Sequence, residues 1–239
     1  MAYRVGCSGW SYPHWRDTFY PRGLRQADWF RHYSSIFDTV EINNSFYRTP
    51  AEQVFRSWRE KAPEGFLFSV KVNRAITQYH KLDAEAYPLF DEFVRRAEQL
   101  GPALGPLLLQ LPPSFGRDDE RLAAFLSQPA VSRHRVAIEF RRADWFTEEV
   151  YSILRRHNVA LAISDLRRLP VPQVATADWV YARFHGPSGR YWGSYSDDEL
   201  RSWANRLKAL SRDGYVYFNN DMEAAAPKDA LRMRELLAL

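Results

Sequence analysis

Eight short runs rich in Val, Ile, Phe and Tyr recur along the chain, separated by stretches of helical period. No other feature restricts the fold as much. The runs are Arg4–Ser8, Phe37–Asn43, Phe66–Lys71, Pro106–Leu111, Arg135–Arg141, Val159–Asp165, Trp179–His185 and Gly214–Asn219. The helical patterns are Gln26–Ile36, Ala51–Lys61, Glu85–Leu100, Asp118–Ser127, Asp144–His157, Asp197–Leu210 and Pro227–Leu239. The sixth connection, Leu166–Asp178, carries Pro170 and Pro172 and is expected to be irregular or a very short helix.

Strands alternating with helices imply a parallel sheet. Eight such units in 239 residues take about 30 residues each, near the lower end of the (β/α)8 range. The competitor, a doubly wound open sheet, would usually carry a Gly-rich phosphate loop after its first strand. Gly6-Cys7-Ser8-Gly9-Trp10 does not match G-x-G-x-x-G, so the barrel is preferred; no organic cofactor is expected, while a divalent metal stays possible. The sequence therefore predicts an α/β fold, a TIM barrel of eight parallel strands, as a single domain over residues 1–239. Long connections follow strands (Gly9–Arg25, Val72–Ala84, Gly186–Ser196), so they gather at the end of the barrel where sites are built.

A hydrophobic fraction of 46% with 26% charged residues excludes wholesale disorder. The apolar stretches fall far short of the ~20 residues a membrane span needs. The opening MAYRVGCSG lacks a signal-peptide pattern. Cys7 is the one cysteine, which rules out an intrachain disulfide and a Cys-based zinc cluster. A soluble, cytoplasmic protein with no membrane partner is expected. Basic residues exceed acidic ones by 33 to 29, and only five of the 33 are Lys. That small excess permits nucleic-acid binding without favouring it.

Polar residues cluster at the ends of these apolar strands. Side chains alternate along a strand, so Glu41 and Asn43 share a side with Thr39, Glu139 and Arg141 with Ala137, and Arg183 and His185 with Tyr181. Lys71, Gln110, Asp165 and Asn219 end four further strands. An apolar set facing the helices and a polar set facing the barrel axis explains the pattern. The three acids Glu41, Glu139 and Asp165 and the three cations Lys71, Arg141 and Arg183 could pair into a self-satisfied plug. A ligand site is the favoured reading, because Val and Leu would fill a barrel at lower cost than six charges. Aromatic residues form a second group: Trp10, Tyr12 and Trp15 in the first loop, Phe46 and Tyr47 in the second, Tyr191 and Trp192 in the seventh. They are either a hydrophobic lid or a stacking wall for a sugar or base.

The segments GCSGWSYPHWRDTFYP, FDTVEINNSFYRTP, FSVKV, LLLQLPPSF, AIEFRRADW, ISD and YARFHG resemble, in that order, the DUF72 (YecE-like) family. The resemblance covers nearly the whole chain and implies a cytoplasmic TIM barrel. It implies no reaction. The family's motif residues fall here on Gly9, Trp10, Tyr12, Trp15, Glu41, Asn43, Phe46, Tyr47, Lys71, Gln110, Glu139, Arg141, Asp165, Arg183, His185 and Gly186. One departure stands out: a segment that commonly reads Ile-Thr-His is Ile76-Thr77-Gln78 here, with His80 two positions on.

The leading expectation is an enzyme using acid–base chemistry on a small polar or anionic ligand, sugar- or phosphate-containing, at the C-terminal mouth. Its catalytic candidates are Glu41, Lys71, Glu139, Asp165 and His185, with Glu139 the base and His185 the proton shuttle. Its ligand-binding candidates are Trp10, Tyr12, Trp15, Asn43, Tyr47, Gln110, Arg141, Arg183 and Asn219, with an anion expected on Arg183. Glu41, Glu139, Asp165 and His185 also suit a divalent metal, which makes a metal-dependent phosphodiester hydrolase the first alternative. A non-catalytic nucleotide or nucleic-acid binder is the second.

Overall fold

All eight expected strands form: β1 (Tyr3–Cys7), β2 (Thr39–Ile42), β3 (Leu67–Lys71), β4 (Leu104–Gln110), β5 (Val136–Glu139), β6 (Ala160–Ser164), β7 (Val180–Phe184) and β8 (Gly214–Phe218). The structure, a computed structural model, describes residues 3–166, 168–189 and 191–238. The strands lie in one sheet in the order β1-β8-β7-β6-β5-β4-β3-β2, and every ladder in it is parallel. This is the expected TIM barrel.

Helices follow the strands as α1 (Trp29–Ile36), α2 (Asn44–Tyr47), α3 (Glu52–Lys61), α4 (Ala86–Ala97), α5 (Asp119–Leu126), α6 (Pro129–Ser132), α7 (Glu148–Arg156), α8 (Asp197–Leu210) and α9 (Ala225–Ala238). No helix joins β6 to β7 among the described residues of 165–179, as Pro170 and Pro172 lead one to expect. Arg167, in that connection, and Leu239, the expected end of the last helix, lie outside the described residues. Local capping sets several boundaries. Thr147 and Asp118 accept from the backbone N–H groups of Val150 and Arg121, and Ser196 forms a reciprocal box with Glu199 at the start of α8. The helix expected from Asp144 thus begins only after Thr147. Among the described residues, no helix is long and apolar enough to cross a membrane.

Two apolar layers hold the barrel. Outward strand residues such as Val5, Val40, Val70, Leu109, Ile138 and Ile163 pack against the helices. Inside, Leu108, Ala137, Ala160 and Ala162 from β4, β5 and β6 meet Tyr181, Tyr215 and Tyr217 from β7 and β8 and Trp179 just before β7. Small residues on one wall make room for aromatic ones from the other, so the interior is filled below its polar end.

Closure happens differently from the other contacts. The described ladders join seven neighbouring pairs, and β1 and β2 are bridged by a side chain instead. The Tyr33 hydroxyl, carried by α1, accepts from the Cys7 N–H at 2.8 Å and donates to the Thr39 carbonyl at 2.9 Å. Gly6 permits this approach, because a Cβ there would lie 2.2 Å from the Thr39 carbonyl oxygen. Tyr33 is fully buried, so both backbone groups depend on it. Replacing Tyr33 by Phe should lower stability by about 1–3 kcal/mol in urea unfolding, the cost of leaving a buried polar group unpaired. An unchanged midpoint would mean that the seam closes without this hydroxyl.

Candidate functional site

The strand pattern delivers the polar residues to one end. Glu41 is next to last in β2, Lys71, Gln110 and Glu139 end β3, β4 and β5, and Arg183 is next to last in β7. The strands stop one or two residues before the sequence pattern suggests, so Asn43, Arg141, Asp165, His185 and Asn219 sit just beyond the ladders, where the chain turns into loops. Above them opens a cleft of about 1820 Å³. Residues following every one of the eight strands line it, from Tyr12 after β1 to Asn219 after β8.

The floor of this cleft is an ion-pair network. Arg183 Nε and Nη2 donate to the two oxygens of Glu41, each at 2.9 Å, and Nη1 donates to Glu139 Oε2 at 2.6 Å. Ser8 Oγ and Tyr181 OH also donate to Glu41, both at 2.7 Å. Gln110 Nε2 donates to Glu139 Oε1 at 2.8 Å, and Arg141 Nη2 pairs with the same oxygen. Both carboxylates are fully buried, and Arg183 is 1% exposed. Burial works to raise the Glu139 carboxyl, but the charges of Arg183 and Arg141 overcome it and hold the group well below the usual carboxylate range. Burial likewise opposes ionisation of Glu41, and Arg183, Ser8 and Tyr181 reverse it.

Two expectations change here. Glu139 is a carboxylate with its oxygens occupied and its basicity suppressed, which suits a structural anion better than a general base. Three of the five N–H groups an arginine offers are committed on Arg183, so an anion would have to compete with two buried carboxylates for it. The self-satisfied plug expected as the alternative to a ligand site therefore forms in part, from Arg183, Glu41 and Glu139 with one arm of Arg141.

Lys71 stays out of it. The residue is 9% exposed and lines the cleft, with Nζ 4.1 Å from the centroid of the Phe46 ring. Among the described residues Nζ makes no hydrogen bond or ion pair. Burial lowers its pKa, Arg183 lowers it further, and despite the opposing pull of Glu139 and Glu41 it falls to about 8. Arg141 is half committed: Nη2 pairs with Glu139, while Nε is buried without a hydrogen-bond partner. Asn43 Oδ1, on another lining residue, is also buried and unpartnered.

Asp165 and His185 form a separate unit. Asp165 Oδ1 accepts from the His185 backbone N–H at 2.8 Å and lies 3.1 Å from His185 Nδ1, while Tyr195 OH donates to Oδ2. His185 is 1% exposed, its Nε2 has no hydrogen-bond partner, and the Tyr191 ring stands 5.5 Å away, edge to face. The loop carrying Tyr191 and Trp192 folds back so tightly that a Cβ on Gly186 would lie 2.6 Å from the Trp192 carbonyl oxygen. Neither Asp165 nor His185 reaches the cleft wall.

The remaining candidates divide clearly. Tyr12, Asn43, Tyr47, Gln110, Arg141, Arg183 and Asn219 line the cleft with Lys71. Trp10 and Trp15 do not. Trp10 packs among Phe30, Trp58 and Phe68, and Trp15 is fully buried with its indole N–H donating to the Asp221 carbonyl at 2.8 Å. Large aromatic surfaces gain more from this packing than from a solvent-filled cleft. The rim aromatics are Tyr47, 67% exposed, and Trp192, 53% exposed. Gln78 was not among the candidates, yet it lines the cleft and donates to the Gln110 carbonyl at 2.5 Å. It stands where the family commonly has histidine, and that departure was the available signal. His80 instead faces Asp83 and Glu85.

The donor groups do not converge on a metal. Glu41 and Glu139 are joined through Arg183, and Asp165 and His185 hold each other. Among the described residues no group of three or more His, Cys, Asp or Glu is gathered as a metal ion requires. These residues do not fit a divalent ion.

Removing Arg183 would leave Glu41 buried without a charge partner and Glu139 with Arg141 alone. Arg183→Met should cost about 3–5 kcal/mol at pH 7, the range for breaking a buried pair. In the variant, burial would raise the carboxyl pKa values above their unfolded values. Protonation would then favour the folded state, and the deficit should shrink as pH falls toward 4. A deficit in urea unfolding that is small, or independent of pH, would contradict the network.

A family model described as protein of unknown function DUF72 matches residues 4–239. The UPF0759 protein YunF of Bacillus subtilis is 28% identical, over 98% of this chain and 94% of its own length. The UPF0759 protein YecE of Escherichia coli K12 is 31% identical over 47% of this chain and 38% of its own. Among solved structures, a DUF72 family protein from Thermotoga maritima superposes with a TM-score of 0.87 at 27% identity over the whole of both chains. A D-psicose 3-epimerase superposes with a TM-score of 0.59 at 10% identity, covering 100% of this chain and 97% of that one, a likeness of fold alone. With the family's motifs gathered around one barrel mouth and its model matching almost from end to end, the chain belongs to the DUF72 family.

Proposed function

We propose that the cleft is the site of an enzyme that moves protons on a small ligand bearing an anionic group, with Lys71 as the acid–base group and Arg141 as the anion's anchor. The observation that carries this reading is the Lys71 ammonium, almost buried yet without an anionic partner. With its pKa near 8, Lys71 can give and take a proton near neutral pH, which general acid–base work requires. An incoming anion would supply the charge partner that Arg183 has withdrawn from it. Arg141, committed on one side only, offers forked donors to the same anion. Asn43, Gln78, Gln110 and Asn219 supply amide groups for hydroxyls on the ligand, and Tyr47 and Trp192 offer faces on which a sugar ring can stack. Asp165, Tyr195 and His185 act from behind by fixing the loop that carries Trp192.

Sulfate tests this reading, since its charge stays fixed across the range in which Lys71 titrates. Binding measured by calorimetry or thermal shift should weaken by roughly tenfold between pH 7 and pH 9.5, the loss of about one charge-assisted hydrogen bond. The sign follows from the lowered pKa: the ammonium is present below about 8 and lost above it. Lys71→Met should bind weakly at both pH values. Equal sulfate affinity at both pH values, or in the parent and Lys71→Met, would remove Lys71 from the site.

A further inference from the structure

A lysine that only balances charge would be expected to hold a carboxylate. Two carboxylates are close enough to Lys71 to pull on its proton, Glu139 and Glu41. Both are taken by guanidinium groups, and Gln110, Ser8 and Tyr181 occupy further positions around their oxygens. Lys71 is left between an arginine-rich floor and the face of Phe46, opening on the cleft. Desolvation beside other cations is how proteins prepare a lysine amine for attack on carbonyl carbon.

We infer that Lys71 is a covalent amine, which forms an imine with the carbonyl carbon of a small oxo acid or other anionic carbonyl compound bound in the cleft. The inference rests on the site proposed above and assigns its substrate class. The lowered pKa supports it, since roughly a tenth of the Lys71 side chains carry a free lone pair at pH 7. In the first step that lone pair forms the C–N bond while the carbonyl π electrons move to oxygen. A proton passes from nitrogen to that oxygen through solvent, giving a carbinolamine. The carbinolamine hydroxyl then takes a second proton from solvent, the C–O bond breaks to release water, and the nitrogen lone pair closes the C=N bond, leaving the nitrogen protonated as an iminium. The positive nitrogen then draws electrons from the neighbouring carbon, easing loss of a proton there. Glu139, which lowers the energy of positive charge at Nζ, would do the same for this cation. Arg141 provides donors for the substrate's anionic group.

Pyruvate with sodium cyanoborohydride is a direct probe, because hydride reduces the imine to a stable secondary amine on the labelled residue. The chain has five lysines, so peptide mass mapping resolves them all. Lys61, Lys208 and Lys228 are exposed, and Lys81 is partly so. In the intact protein at pH 7, Lys71 should label about tenfold or more faster than the other four, which lie outside the cleft and its anion anchor. It should also outpace the α-amino group, because Arg141 holds the anionic substrate beside Lys71. Sulfate should slow the labelling of Lys71 and leave the α-amino group unaffected. Labelling confined to the exposed lysines and the α-amino group would overturn the imine. The sulfate measurements above would then show separately whether the acid–base site survives. Fast labelling of Lys71 that sulfate does not slow would overturn the anionic substrate class.

Discussion

One guanidinium holding two buried carboxylates determines the character of this barrel's mouth. Arg183 reaches Glu41 with a two-pronged contact and Glu139 with its remaining arm, all within the barrel interior. Such a group is a poor source of net stability, since withdrawing three charges from water costs about what their attraction returns. Its effect is on the neighbours. Glu41 and Glu139 become fixed anions with little basicity, Arg141 is tied at one end, and Lys71 is left without an ion-pair partner among the described residues. The chemistry available at the cleft is set by what this network leaves out.

The layers below make that arrangement possible. Ala137, Ala160 and Ala162 leave room for Tyr181 and Tyr217 to cross the barrel, and Tyr181 then delivers its hydroxyl to Glu41. The Tyr217 hydroxyl lies 2.7 Å from Thr39 Oγ1, which connects β8 to β2 across the interior. On the β1 side, Ser8 donates to Glu41 just past the seam that Tyr33 closes. The polar floor and the closure of the barrel thus share the same two strands, so disturbing either should be felt in the other.

Much of this was legible in the sequence, and the reason is periodicity. Strand alternation alone places Glu41, Lys71, Glu139 and Arg183 on the axial side, and the clustering of polar residues at strand ends identifies the mouth. Pro170 and Pro172 announce the missing helix. Pairing was not legible, because which carboxylate meets which cation depends on the stagger between strands, and a single sequence carries little of that. Glu139 looked like a base for this reason, and Arg183 like an anion's anchor. Trp10 and Trp15 misled for another: loop aromatics read the same whether they pack inward or overhang a cleft, and here they pack. Strand ends were overextended at Asn43, Asp165, His185 and Asn219, since the pattern continues past the last backbone pairing.

The ionisation of Lys71 follows from all of these features, and it can be observed residue by residue. Lysine-selective isotope labelling would give five side-chain resonances in an NMR titration, one for each lysine. If Arg183 holds both carboxylates, one of the five should titrate with a midpoint near 8 and disappear in Lys71→Arg. Its midpoint should rise in Arg183→Met, where Glu41 is freed, Glu139 keeps only Arg141 and a neighbouring cation is gone. Five lysines titrating together near the ordinary 10.4 would contradict the assignment of Lys71 as the reactive group of this cleft.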